Sequence, residues 1–259
     1  MDRTAFESLG DKHKQYESAY KRKFIRGLPT VVRLDGRAFH TFTKGLLRPY
    51  DERMSRCMIE TTKFLVEKTH AAIGYTQSDE ISLVLLPSAE NTYIFDGEVQ
   101  KVVSIFSSLA SVKFNKEVLE KLPSEYAEKF PTFDARVIQY PSLELAAENL
   151  LWRECDATRN SLTLAVHSVY SHKECQNAGY AKKHDMLMEK GINWNDYPSF
   201  FKRGTYVKRS KVMKHLSEAE LAAIPEKYRP TGEVCRSEMQ ELSIPPLESI
   251  DDKVSLLFG

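Results

Sequence analysis

Thr30-Val31-Val32-Arg33-Leu34-Asp35-Gly36 sets the architecture: a β-branched run short enough to be a buried strand, closed by the strong turn signal Asp-Gly. A carboxylate therefore stands where the strand ends. Downstream, Arg48-Pro49-Tyr50-Asp51 reads as a helix entry. Met54, Cys57, Met58, Thr61 and Leu65 then recur at i, i+3, i+4 spacing, which predicts a helix to about Thr69 that buries one face. Residues 71–77 and 81–86 read as two short strands on either side of a polar junction, Ser78-Asp79-Glu80. Residues 101–114 have helical periodicity again, and 133–140 read as a further strand ended by Pro141. Upstream, residues 12–23 read as a charged helical lead. This alternation predicts an α+β fold in which helices pack on one face of a mainly antiparallel sheet.

Beyond Ser142 the pattern turns helical, with segments 143–151, 161–170 and 177–190. Residues 201–215 carry Lys202, Arg203, Lys208, Arg209, Lys211 and Lys214 with no acid, and Phe201 and Tyr206 are interleaved. That segment reads either as a solvated edge hairpin or as a surface for a phosphate backbone. The last twenty residues are acidic and proline-containing and read as a tail that tucks back through 254–258. The chain thus divides into a core over 1–141, with its helical lead, and a helical, basic region over 142–259.

With 259 residues, 42% of them hydrophobic, the chain can bury a sizeable core, and 11 Gly with 11 Pro exclude collagen-like and wholly disordered classes. Lys+Arg 37 against Asp+Glu 36 leaves +1, so the total charge gives no sign of a nucleic-acid partner; only local clustering can. Cys57, Cys155, Cys175 and Cys235 include no Cys-x-x-Cys spacing and read as reduced thiols. No apolar run approaches the roughly 20 residues that span a bilayer. The opening residues mix acids and bases without a signal-peptide stretch. The expectation is a cytoplasmic protein with no membrane partner.

Asp35 ends one strand and Asp79 lies between the next two, positions that a strand–helix–strand unit can bring to one edge of a sheet. Two carboxylates a few ångströms apart repel unless a cation lies between them, which favours Mg²⁺ completed by phosphate oxygens, the arrangement of two-metal phosphoryl or nucleotidyl transfer. The same residues also read as ordinary turn acids, since Asp before Gly is a common turn signal and an acidic pair often caps a solvated hairpin.

Arg33-Leu34-Asp35-Gly36-Arg37-Ala38-Phe39-His40 and Gln77-Ser78-Asp79-Glu80-Ile81-Ser82 closely resemble the two metal-site motifs of the tRNA-histidine guanylyltransferase family and its bacterial, archaeal and phage guanylyltransferase-like relatives. The similarity continues in order through Arg48-Pro49, Lys101, Phe133-Asp134-Ala135-Arg136-Val137, Tyr140-Pro141-Ser142, Trp152-Arg153, Asp156, Asn160, Lys183, Asn195 and Lys202-Arg203-Gly204-Thr205. This resemblance implies a polymerase-like palm in the core and addition of nucleotides to the 5′ end of tRNA, in the 3′-to-5′ direction. It implies Asp35 and Asp79 as catalytic ligands of two Mg²⁺ ions, with the Gly36 carbonyl completing one shell. Asp35, Gly36, Arg37, Ala38, Phe39, His40, Ser78 and Asp79 would line the nucleotide pocket, with Arg48 and Lys101 near a triphosphate. Lys183, Asn195, Lys202 and Arg203 would meet RNA, joined by Lys208 and Arg209 of the basic segment. Arg48, Lys101 and the RNA-facing residues each have the alternative of an ordinary surface side chain, and His40 that of a core histidine. Glu80 takes a structural role because it neighbours Asp79 on a strand, and Trp152 reads as core.

The chemistry implied is activation of a 5′-monophosphate with ATP, attack by the 3′-hydroxyl of GTP or another nucleoside triphosphate, and loss of AMP. A homotetramer, a dimer of dimers, is implied by the resemblance alone. Asp156-Ala157-Thr158-Arg159-Asn160-Ser161-Leu162 departs from the His-Ile-Asn-Asn-Leu-Tyr segment of members that add one G to tRNA-His, and the opening resembles the branch that repairs 5′-truncated tRNA. Asp96-Gly97-Glu98 stands where paired arginines usually precede Lys101. Two other readings fit a palm: a nucleotide cyclase, which the basic second half argues against, and a non-catalytic RNA-binding module, which the retained acids argue against.

Overall fold

The computed structural model describes residues 3–88, 90 and 92–259, so the first two residues of the charged opening lie outside it. The elements in the first half are α1 (Arg3–Ser18), β1 (Thr30–Gly36), α2 (Phe39–Phe42), α3 (Glu52–Thr69), β2 (Ile73–Gln77), β3 (Glu80–Leu85), α4 (Val99–Lys121), α5 (Ser124–Ala127) and β4 (Phe133–Gln139). In the second half follow α6 (Leu143–His167), α7 (Tyr180–Glu189), α8 (Ser199–Arg203), β5 (Thr205–Lys214), α9 (Glu218–Ala222), β6 (Val234–Leu242) and α10 (Lys253–Phe258). Six strands form one sheet in the order β4-β1-β3-β2-β5-β6, and every neighbouring pair is antiparallel.

The antiparallel sheet agrees with the sequence, but helices cover both of its faces rather than one. Val32 and Leu34 of β1 point into a core with Leu65 of α3 and Phe106, Ala110 and Phe114 of α4. Val31, Ile73, Tyr75 and Val84 point the other way, against Ala147 and Leu150 of α6 and Leu257 of α10. The physical reason is that apolar residues stand at adjacent positions, as in Val31-Val32 of β1 and Leu83-Val84-Leu85 of β3, so both faces of these strands carry apolar side chains and each needs a cover. Each fully buried Leu or Val contributes roughly 1.5–3 kcal/mol of transfer free energy, and leaving one face wet would forfeit several of them.

Three boundaries differ from the sequence reading. The lead helix ends at Ser18, and Lys23 instead makes an isolated β-bridge with Glu98. Segments 143–151 and 161–170 are parts of one helix, α6, because no Gly or Pro interrupts them and Glu154, Ala157 and Ser161 between them are buried. The basic segment is split between α8 and β5; only Thr205, Tyr206 and Val207 of β5 pair with β2, and residues 208–214 pair with β6 alone. The tail does tuck back: α10 buries Leu257. Among the described residues no helix is long and apolar enough to cross a membrane.

Candidate active site

The end of β1 and the turn between β2 and β3 are tied together by one backbone contact. The Gly36 amide donates to the Asp79 carbonyl at 3.0 Å. Around it the register sets Asp35 of β1 directly opposite Glu80 of β3 and Asp134 of β4. Ser78 takes φ 54°, which lets the chain reverse in two residues between Gln77 and Glu80. Ala38, at φ 55°, turns the chain out of β1 into α2. A side chain on Gly36 would collide with the Phe39 ring, which packs there against Phe42, Phe114 and Phe133. Only glycine fits, and the reason is this ring as much as any need for backbone approach.

Burial pushes the Asp79 carboxyl up, and the nearby Asp35 charge adds to it; a hydrogen bond from Ser78 and one from its own amide pull the other way. No Lys or Arg pairs with Asp79 among the described residues. Asp35 is half-exposed, and its nearest cation is Arg136, 3.6 Å away and shared with Asp134. A half-buried carboxylate with no Lys or Arg partner, beside a second carboxylate, is a donor set that fits a hard divalent ion. No group of three His, Cys, Asp or Glu gathers among the described residues, so the chain itself offers the two carboxylates and leaves other positions to other oxygens. Glu80 is committed elsewhere: Arg153 donates to it twice, at 2.6 and 2.8 Å, and Arg153 also lies 3.3 Å from Asp156.

Beside Asp79 opens a cavity of about 320 Å³. Ser78, Asp79, Phe39, His40 and Arg48 line it, as the resemblance implies. His40 is exposed there and is no core residue. Asp51 also lines the cavity while capping α3; its carboxylate accepts from the Arg53 amide, and the Arg53 guanidinium holds it below the usual range. The remaining walls include Tyr50, Leu164, Phe200 and Phe201, which the sequence did not signal as site residues. Tyr50 comes with its neighbours Arg48 and Asp51, whereas Leu164, Phe200 and Phe201 arrive from far along the chain, and no local pattern reports such a meeting.

Asp35, Gly36, Arg37, Ala38 and Lys101, expected in the pocket, do not line this cavity; Asp35 and Gly36 stay in β1 behind the Phe39 ring. Arg37 and Ala38 line a separate open depression of about 460 Å³, with Lys129 and Phe130, because the left-handed turn at Ala38 points them away. Lys101 is held by Glu98 at 3.3 Å, where α4 begins and Val99 binds the Arg22 carbonyl. That is the Thr30 end of β1, five strand residues or roughly 16 Å from Asp35.

The cations of the second half are largely tethered. Lys183 donates to Thr163 at 2.8 Å. Lys202 donates to the carbonyl of the exposed Asn195 and sits over the Trp194 ring. Arg203 lies 3.7 Å from the buried Glu154, which also accepts from Tyr206 and from the Leu247 amide. Lys208 donates to the Gly259 carbonyl, Arg209 reaches Ser237 and the Glu67 carbonyl, and Lys214 pairs with Glu220 and Glu238. The unbroken basic stretch of the sequence therefore becomes a strand whose charges meet partners from other segments. Trp152 is not core: it is 53% exposed and stacks on Arg153.

The tRNAHis guanylyltransferase family matches residues 10–141 of this chain. A tRNA(His) guanylyltransferase of Debaryomyces hansenii is 30% identical over 195 residues, covering 69% of this chain and 72% of its own length. A bacterial tRNA(His) guanylyltransferase-like protein solved in complex with GTP is 30% identical, covers 95% of this chain and 99% of its own, and superposes with a TM-score of 0.74. A bacterial tRNA(His) guanylyltransferase-like protein solved in complex with ATP is 36% identical over 78% of this chain and 87% of its own, with a TM-score of 0.73.

Proposed function

The chain belongs to the tRNAHis guanylyltransferase family, and from that membership we propose that it is a nucleotidyltransferase that joins a nucleotide to the 5′ end of a tRNA. The observation that carries the reading is the Gly36–Asp79 contact, which holds the end of β1, with Asp35, beside Asp79, a half-buried carboxylate that lines a nucleotide-sized cavity and has no Lys or Arg partner among the described residues. ATP and GTP are the nucleotides of the solved relatives and are the substrates proposed for this chain.

Asp35 and Asp79, with the Gly36 carbonyl, would hold two Mg²⁺ ions, which when bound neutralise phosphate charge and acidify a hydroxyl. The chain's own contribution is positioning. Phe39, Leu46 and Phe200 offer apolar walls to a base, and Arg48 offers a cation to a phosphate on the same cavity. The reaction first joins the 5′-monophosphate of the RNA to AMP from ATP, releasing pyrophosphate. The 3′-hydroxyl of the incoming nucleotide then attacks the RNA 5′ phosphorus; a new phosphodiester forms, the bond to AMP breaks and the hydroxyl proton leaves. A 5′-triphosphate end reacts in the second step alone and releases pyrophosphate.

The finer reading is a palm-type core over residues 1–141, an RNA-facing region over 142–259, and template-dependent repair of 5′-truncated tRNA in the cytoplasm by a homotetramer. The departures at Asp156–Leu162 support repair over single-G addition. The test supplies a 5′-truncated tRNA, labelled at its 3′ end, with ATP, all four nucleoside triphosphates and Mg²⁺. Extension complementary to the opposite strand is expected. No extension with any nucleotide contradicts the proposal, and a cyclic nucleotide made from GTP or ATP without RNA would replace it with a cyclase.

A further inference from the structure

Asp79 lines the cavity and Asp35 does not. The cavity is walled by Leu164 of α6 and by Phe39 of α2 and Met54 and Ser55 of α3, and α2 and α3 pack the sheet face that carries Val32 and Leu34. Asp35 points to the opposite face together with Arg33, since they are two residues apart on β1. The register adds Arg136 and Asp134 of β4 to that face, level with Arg33 and Asp35. There Asp35, Asp134 and Arg136 are 42%, 56% and 53% exposed at their side chains, so α6 leaves this corner uncovered.

Trp152 precedes Arg153 on α6, and Arg153 holds Glu80, the β3 residue directly opposite Asp35. The indole stacks on the Arg153 guanidinium, 4.6 Å from it, and Arg153 is itself nearly buried and fixed by Glu80 and Asp156. One side of the ring is thus braced by an ion-paired guanidinium, and the residue is 53% exposed on the helix that covers the sheet face of Asp35 and Glu80.

We propose that Trp152 is a stacking platform for an unpaired base of the RNA whose 5′ end lies at Asp35, with Arg136 exchanging its loose contacts to Asp35 and Asp134 for a backbone phosphate. Aromatic rings bind unpaired bases without regard to sequence, because every base offers a π-face, and an adjacent cation holds the strand. The inference rests on the reading of this chain as an enzyme of RNA 5′ ends. It adds a residue and an open face, distinct from the nucleotide cavity, for the strand being extended.

The chain has two tryptophans, and the other, Trp194, is buried, so in a Trp194→Phe background the fluorescence reports Trp152. The probe is a hairpin RNA copying an acceptor stem that lacks its first 5′ nucleotide, titrated without Mg²⁺ or nucleotides, with a fully paired hairpin beside it. Saturable quenching is expected, stronger with the truncated hairpin. Trp152→Ala and Trp152→Leu should each weaken binding roughly tenfold, whereas Trp152→Phe stays within threefold, at unchanged melting temperature. Unaltered affinity in Trp152→Ala and Trp152→Leu, with no quenching, would reduce Trp152 to a cover for Arg153. In that case continued 5′ extension by the same variants leaves the enzymatic reading intact; failure of wild-type chain to bind either hairpin overturns both.

Discussion

The backbone amide of Gly36 donates to the carbonyl of Asp79 at 3.0 Å, joining the end of one strand to the tip of a hairpin more than forty residues away. Through this contact the two carboxylates of the site are held by the sheet itself and not by a mobile loop, and the Phe39 ring closes over the glycine.

Gly36→Ala should therefore damage both fold and site. The new methyl meets the Phe39 ring inside a packed aromatic cluster, a form of overpacking that costs roughly 1–3 kcal/mol. Chemical denaturation of the variant should give a loss in that range, with nucleotide addition reduced further than stability alone accounts for. A variant as stable and active as the parent would mean that the cluster yields freely.

Asp79 supplies a pH dependence whose sign follows from its burial. Its carboxyl is pushed up, chiefly by burial and next by Asp35, so the folded metal-free chain holds a proton over a range where the unfolded chain has lost it. Stability of metal-free protein should therefore fall as pH rises through that range. Asp79→Asn, which removes the half-buried charge, should raise the melting temperature in EDTA at neutral pH, and the advantage should shrink as pH falls through the carboxylate range. Thermal melts of both proteins across pH test this; an Asn variant that is less stable at neutral pH and gains on acidification would reverse the sign.

Arg153 holds Glu80 through two hydrogen bonds, both side chains being nearly buried. Removing one partner leaves the other charge without compensation. Arg153→Ala should cost roughly 3 kcal/mol, and combining it with Glu80→Gln should recover part of that loss. Denaturation of the four members of this cycle measures the coupling, and simple additivity would contradict the pairing.

Arg48 is the cation that the cavity presents beside Ser78 and Asp79. Arg48→Ala should raise KM for the nucleoside triphosphate roughly tenfold, the scale of one charge-assisted hydrogen bond. Steady-state kinetics at saturating RNA would contradict this if KM moved less than twofold.

Much of the sheet was legible because its strands are short apolar runs bounded by turn residues: Thr30-Val31-Val32 and Ile81 to Leu85 sit where the sequence puts them. Apolar residues at adjacent positions, Val31-Val32 and Leu83-Val84-Leu85, also carried the sign of a second helical layer, which an antiparallel expectation of one covered face overlooked. The two acids were legible as turn motifs with recognisable neighbours. Their meeting was not, since it depends on a backbone contact across β1 and β3. Leu164, Phe200 and Phe201 reached the cavity without any local signal, because their place follows from how α6 and α8 pack. Arg203 and Lys208 read as free cations only because Glu154 and Gly259, which hold them, lie some fifty residues away in sequence.

The catalytic role of the carboxylate pair is best tested by single-turnover joining of GTP to a 5′-triphosphate RNA in Mg²⁺, comparing the parent chain with Asp35→Asn and Asp79→Asn. Each substitution should lower the rate roughly a thousandfold, since an ion-binding carboxylate contributes several kcal/mol to the transition state, while RNA affinity stays within twofold. Joining at more than about a tenth of the parent rate by either variant would contradict the assignment of the site.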